Sequence, residues 1–497
     1  MRLLPIAVIL FSVFPLTDTD IWWHLACARE WVTTWTPVRT PVVNVHEYFQ
    51  WVVGFVYGLG GAPLLVAFKA VLWGVVFALF VRGVRHGELP KNVIASPAGE
   101  PATSVAWWWQ SLVAILLIFV FRYHFEIRPV LFSLIFLGVY WNVFPWLFRP
   151  RRRGRGEILR KVAASALMLV IQWFWCKCQG LYILGPIFAT LVLFDFIWNS
   201  RRSGANLLSK AVAWRSAFVL ALFAMPFLHR EGLALFLYPF GLLDRLLGFT
   251  PSAAVFASEI AENRSPFTLL VAGENTLECA LMILLCIAGM GFAMWRLYQA
   301  RRLDVLNVSL LVTAILALVA ERNFVLFLPV LLATLPNFPF HTLHFTSCRL
   351  LFTVYFLLTF FILGLWARSL SAYDFSMVAY QRVPVDAARW MQEHPHQGRL
   401  FNDDRAGGYL AFVNPADSIY IDGRFILKTA DFFERYLEFA QNPSLFMADA
   451  DSLGIDRALF PLRYYARWDA LLQPLATSSR WHLAYRDAYF AIFDKNE

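Results

Sequence analysis

The chain has 497 residues, of which 59% are apolar, 17% aromatic and 15% charged. A soluble domain carries roughly 45 to 50% apolar and about 25% charged residues, so this composition describes an integral membrane protein. The net charge of +9 is uneven: from Ala367 onward 14 Lys/Arg face 17 Asp/Glu, which leaves an acidic tail behind a basic membrane part. The basic residues sit at the ends of apolar runs rather than along one stripe, and this excludes a nucleic-acid-binding function.

Taken in chain order, apolar runs close to the roughly 20 residues needed to cross a bilayer recur almost to residue 366. They predict spans near residues 2–17, 62–82, 104–122, 129–148, 161–176, 180–198, 213–228, 277–297, 303–320, 323–338 and 348–367, about eleven in all. The first has Arg2 and a short apolar core but no small-x-small cleavage site before Asp18, and is read as an anchor. Orientation follows from Lys/Arg in short loops. "VRGVRHGE", "RPRRRGRGEILRK", "NSRRSG" and "RLYQARR" fall on one side, the cytoplasm. The loops holding Asp18, Arg128, Lys177 and His229 then face out, and so does the tail.

The tail reads as a small α/β domain. "VDAARWMQEH" and "TADFFERYLEFAQ" have helical periodicity, "GRLFND" and "SIYIDGR" look like short strands, and "WHLAYRDAYFAIF" looks like a terminal hairpin. Gly407 and Gly408 suggest a tight turn, and "NDDRAGGYL" lacks the ligand spacing of a calcium loop. The six cysteines have neither metal-site spacing nor an easy disulfide and read as small apolar filler.

"LTDTDIWWHLACAREW", from Leu16, carries two aspartates, two tryptophans and a histidine at the outer mouth of the first span, with His46 and Glu47 in the same loop. The aromatics suit a helix lying in the membrane interface. "EYFQWVVGFVYGLGG" beyond it is too short to cross and is read as dipping into the outer leaflet. Taken singly, Asp20 fits an N-cap, Trp22 and Trp23 interfacial anchors, and His24 a polar neighbour. Together, carboxylate and imidazole beside lipid make a place where a lipid-linked substrate meets an acid or base.

"DTDIWWHLACAREW" followed by "VHEYFQWVVGFVYGLGG" resembles a large bacterial group of multispanning proteins whose first outer loop reads Asp-Pro-Asp-x-Trp-Trp-His, then His-Glu-Trp before a Gly-Gly turn. That group is similar to a branch of the GT-C glycosyltransferases. The resemblance continues through "EIRPVLFSLIF", "WCKCQGLYILG", "AERNFVLFLPV", "LFNDDRAGGYLAF" and "IYIDGR". It implies a polytopic α-helical GT-C-like membrane domain over residues 1–366 and an extracytoplasmic α/β domain over 367–497. It also implies a polyprenyl-phosphate-linked sugar as donor and an essential acidic residue in the first outer loop. The departures are Thr19 for proline, Lys177 and Gln179 for Asn and His, and "MPFLHREG" for Asn-Pro-Tyr-Gly.

Such a transfer needs a base to take a proton from the acceptor hydroxyl and cations to stabilise the departing phosphate. Asp20 or Asp18 is the expected base, with Glu47 next. His24, His46, Arg128, Lys177, Arg230 and Arg322 are the expected substrate-binding residues, with His229 as a helper. The lipid phosphate activates its own departure, so no cofactor is required; Asp18 and Asp20 could alternatively hold a divalent cation. Glu259 and Glu262 read as a solvated face. The loop from His229 to Thr276 reads as lying flat on the membrane beside an acceptor groove. The expected partners are a polyprenyl-phosphate sugar, an envelope glycan, lipid or protein acceptor, and the bacterial inner membrane. The competing readings are a lipid or glycan translocation protein and a non-catalytic membrane scaffold. Neither mid-span charge pairs nor internal repeats support translocation.

Overall fold

A computed structural model of the chain describes residues 3–39, 42–86, 104–149, 155–202, 209–250, 254–256, 260–300, 304–337, 348–463 and 466–496. Much of the basic loops used for orientation, and Glu259, lie outside the described residues. The described helices begin with α1 (Leu4–Phe11), α2 (Asp20–Arg29), α3 (Glu47–His86), α4 (Ser104–Val120), α5 (Pro129–Phe148), α6 (Arg155–Trp175) and α7 (Leu184–Arg202). They continue as α8 (Lys210–Ala224), α9 (Gly232–Leu247), α10 (Pro266–Val271), α11 (Thr276–Ala300), α12 (Val305–Val319), α13 (Phe324–Thr334) and α14 (Cys348–Ser371). The tail adds α15 (Val385–Glu393), α16 (Asp404–Val413), α17 (Ala430–Phe439), α18 (Pro443–Leu453) and α19 (Asp469–Thr477).

Among the described residues, seven helices are long and apolar enough to cross a membrane: Glu47–Gly83, Pro129–Phe148, Gly156–Trp175, Gly180–Arg202, Lys210–Leu228, Thr276–Ala300 and Thr353–Ser371. Gln110–Val120, Gly232–Asp244 and Val305–Val319 are apolar but shorter. The expected first span is helical only over Leu4–Phe11. Eight residues rise about 12 Å, well short of a hydrocarbon core of about 30 Å. Ser12 returns its hydroxyl to Val8 O at 2.6 Å, and Pro15 follows.

The chain divides into two compact units. The first holds Met1–Val13, Ala67–Leu243 and Ile260–Tyr373; the second holds Phe14–Val66, Asp244–Glu259 and Asp374–Glu497. The first outer segment therefore groups with the tail, where the sequence alone had put it with the spans.

In the first unit, helices pack where small residues open a groove. A Cβ on Gly138 would press on Leu79, and Gly83 leaves room for the indole of Trp141. Asn142 Nδ2 spans the same contact, donating to Leu79 O and Gly138 O at 2.8 Å each. Every residue of α13 is buried, which fits a helix that is apolar all round and carries no solvent face.

In the second unit, four strands, β1 (Arg399–Asn402), β2 (Ile455–Pro461), β3 (Trp481–Arg486) and β4 (Phe490–Lys495), form a sheet in the order β1-β2-β4-β3. β1 and β2 run parallel; the other neighbours are antiparallel. The expected helices α15 and α17, the strand at "GRLFND" and the terminal hairpin are all present. "SIYIDGR", expected as a strand, is buried irregular backbone outside the sheet. Its peptide groups are taken by side chains instead: Tyr420 N donates to Asn402 Oδ1 at 2.8 Å, and Ile421 O accepts from Asn402 Nδ2 at 2.7 Å. Gly407 and Gly408, expected in a turn, lie inside α16. They are small because the carbonyl of Ile421 and the backbone of α2 press on that helix.

Candidate functional site

Asp20 is the first residue of α2, and Thr19 holds the cap position without a side-chain bond. Asp18 accepts the Asp20 amide on Oδ1 at 3.3 Å, so the cap-like work falls to Asp18 and not, as the sequence suggests, to Asp20. Asp18 is buried and Asp20 half-buried. Ile21 through Ala26 are all buried, which corrects the reading of α2 as an interfacial helix. The covering element is α16: Trp22 meets Tyr409 edge-on at 4.8 Å, and Arg29 lies over the Phe412 ring at 4.2 Å while donating to its carbonyl.

The imidazoles converge beside it. His24 and His46 stand 5.2 Å apart, centre to centre and nearly perpendicular, with Trp23 against His24 at 3.5 Å and Phe49 at 4.9 Å. Gln50 Nε2 lies 3.5 Å from His24 Nδ1, and Gln50 in turn accepts from Asn44 at 2.8 Å. Glu47 opens α3, whose first leg runs to a break at Gly60 and Gly61, the latter with φ of 64°. Trp51, Phe55 and Leu59 form an exposed stripe on that leg.

The tail supplies the other wall within the second unit. Asp422 and Arg424 are buried and paired, with Arg424 Nε 3.0 Å from both carboxylate oxygens. The guanidinium lies 5.5 Å from the Trp23 ring and 5.0 Å from that of Trp31. Lys428 donates to Thr34 Oγ1 at 2.7 Å and Pro37 O at 3.2 Å. Burial pushes its amine down to about 8, against the pull of Asp422. A narrow cleft lined by Trp31, Thr33, Asp422, Arg424 and Lys428 opens here.

The expected cations belong to the first unit and are largely engaged there. Arg128 grips Glu262 in a bidentate pair at 2.6 and 2.7 Å. Burial opposes the Glu262 charge, but Arg128, with Arg322 and His124, outweighs it and holds that carboxyl at about 2. Glu262 is thus an ion-pair partner on a partly solvated face, its side chain 42% exposed. Lys177 is buried and meets Glu231 at 2.6 Å. Arg230 is exposed, with no ion-pair partner among the described residues. His229 Nε2 donates to Trp173 O at 2.9 Å and stacks on that ring.

Sequence reasoning missed His124. Its Nε2 lies 2.7 Å from Glu278 Oε1 and 3.8 Å from Glu321 Oε1. Burial alone would lower its basicity; the Glu278 hydrogen bond and the charges of Glu321, Glu278 and Glu262 reverse this and raise it. The signal was present in "RYHFEIRP", where His124, Glu126 and Arg128 alternate in one short loop. Among the described residues no three His, Cys, Asp or Glu side chains converge as metal ligands, so the arrangement of Asp18 and Asp20 gives a cation no ready-made cage.

Comparison of the sequence with protein families and with curated proteins finds no match. Solved structures do match. The oligosaccharyltransferase AglB from Archaeoglobus fulgidus, in complex with an inhibitory peptide and a dolichol-phosphate, superposes with a TM-score of 0.57 at 12% identity, over 92% of this chain and 69% of that one. An Archaeoglobus fulgidus oligosaccharyltransferase tethered to an acceptor peptide containing the NVT sequon gives 0.55 at 13% identity, over 100% and 74%. In its complex with Zn and sulfate it gives 0.51 at 13% identity, over 92% and 67%. The chain has the fold of an oligosaccharyltransferase. The likeness bears out the fold class at its coarser level: a mostly helical, multi-pass membrane protein with a small C-terminal sheet domain.

Proposed function

We propose that this chain is a membrane glycosyltransferase that moves a sugar from a polyprenyl phosphate to an envelope acceptor on the outer face of the bacterial inner membrane. The observation that carries the reading is the fold, shared with oligosaccharyltransferase structures of which one holds a dolichol-phosphate and an inhibitory peptide and another a tethered acceptor peptide. The acidic and imidazole groups gathered at the start of α2 support it. In this reading the long apolar helices cross the bilayer and the tail lies outside.

The reaction is a single displacement. The acceptor hydroxyl forms a bond to the sugar's anomeric carbon as the bond from that carbon to the phosphate oxygen breaks. The hydroxyl proton passes to Asp20, or to Asp18 or Glu47, and the lipid phosphate leaves with the bonding electron pair. Inversion at the anomeric carbon follows. His24 and His46 line the same segment as the base. Of the cations, Arg230 is the most open to a phosphate; Arg128 and Lys177 would have to share their charge with Glu262 and Glu231. Arg322, near Glu262, completes the set. No cofactor is invoked.

The test uses purified full-length protein in liposomes with polyprenyl-phosphate-linked hexoses and pentoses. Asp18→Asn, Asp20→Asn and the double variant should lower transfer by at least about 100-fold, as loss of a general base does. Full transfer by all three, with the unaltered chain active, would remove the carboxylates from the chemistry.

A further inference from the structure

We infer that the tail turn Asp422-Gly423-Arg424 is the seat of Asp20 and that Gly423 is a positioning residue for its carboxylate; this rests on the transferase reading above. Gly423 lies so near Asp20 that a Cβ built on it would overlap Asp20 Oδ1 and stand 3.1 Å from the carboxyl carbon, with Trp23 Nε1 at 3.6 Å. The backbone of Gly423 is not left-handed, so its only need for glycine is this approach.

The backbone on both sides is held, so the Asp20 carboxylate is the part that moves. On the tail side, Asp422 Oδ1 accepts the Arg424 amide at 2.9 Å while its carboxylate takes the guanidinium, which closes the turn on itself. Behind it, Asn402 holds Ile421 O. On the other side Asp20 is rooted in the first turn of α2, and α2 is pressed on α16 so closely that a Cβ on Gly408 would stand 3.0 Å from Trp23 N. Asp20 has a short side chain with two torsions. If the seat is filled, its carboxylate must rotate away, since the helix that carries it is fixed.

Two glycines from two separate tail motifs, "AGGYL" and "IDGR", thus let the first outer segment approach the tail. The consequence is functional. The tail is required for the chemical step itself, not merely for holding the acceptor, and filling the seat impairs attack on the donor by water as well as by the acceptor.

The experiment combines turnover and stability in the full-length protein. Gly423→Ala should lower kcat for both transfer and donor hydrolysis, about 100-fold if the carboxylate moves by about 1 Å, and leave the donor KM unchanged. Gly423→Ala should also lower the melting temperature of the parent but add no further loss in an Asp20→Ala background, because the overlapping atoms are gone. If Gly423→Ala alone does not fold, recovery of folding in that background supports the seat, and persistent misfolding overturns it. Full turnover by Gly423→Ala while Asp20→Asn is inactive would sink the positioning role but leave the transferase intact. Full turnover by Asp20→Asn would remove the base and the seat's purpose together. Equal thermal losses for Gly423→Ala in both backgrounds would show that the overlap is not with Asp20.

Discussion

Asn402 offers the most direct way to loosen the site from a distance. It is fully buried at the end of β1. Its side chain donates to Asp403 O at 2.8 Å and Ile421 O at 2.7 Å and accepts from Tyr420 N at 2.8 Å. Asn402→Ala leaves the Tyr420 N–H and the Ile421 carbonyl without these partners in a dry core. At about 1 to 3 kcal/mol for each stranded group, the cost is about 2 to 6 kcal/mol. An exposed ion pair such as Arg435 with Asp449 contributes about 0 to 1 kcal/mol, so Arg435→Ala serves as the control. Hydrogen exchange on the full-length protein in detergent reads the effect: residues 418–424 should lose protection, and residues 14–29 should follow because Gly423 and Asp20 touch. Unchanged protection of 418–424, or a cost no greater than that of Arg435→Ala, would show that Asn402 does not hold the turn.

Three further outcomes are expected. Asp18→Ala should cost about 1 kcal/mol by removing the acceptor for the Asp20 amide while Asp18→Asn costs little, read by thermal unfolding. Burial and neighbouring Asp404 raise the Asp403 carboxyl to about 7, so its folded form holds a proton that the unfolded chain has released. Stability from this group is fully present below about pH 4 and is lost as pH rises through about 7. Asp403→Asn should flatten that part of the melting-temperature profile, and an unchanged profile would contradict the assignment. Glu231→Gln should destabilise the protein more than Lys177→Gln, because it removes a charge partner from a buried ammonium whereas Glu231 is 28% exposed and can turn to solvent. Equal losses in chemical unfolding would argue against that asymmetry.

The sequence by itself determined the class of the molecule and most of its helices. Apolar runs of bilayer length must be helical because lipid offers no partner to an open backbone, and this holds whatever they pack against. It also determined the tail's amphipathic helices and terminal hairpin, whose periods are local, and the concentration of Asp18, Asp20, His24, His46 and Glu47 in one segment. Tertiary structure alone decided what that segment belongs to. Trp22 and Trp23 look alike whether they face lipid or protein, and the partners that bury them, Tyr409 of α16 over Trp22 and Arg424 over Trp23, arrive about 400 residues later. The same holds for "SIYIDGR". Its alternation reads as a strand, but Asn402 takes its peptide groups in place of a sheet neighbour, and a side chain distant in sequence leaves no local period to read. The glycines at 407, 408 and 423 were visible as flexible residues. That they are gaps, sized for Ile421 O, Trp23 N and Asp20, depends on atoms that folding brings from elsewhere in the chain.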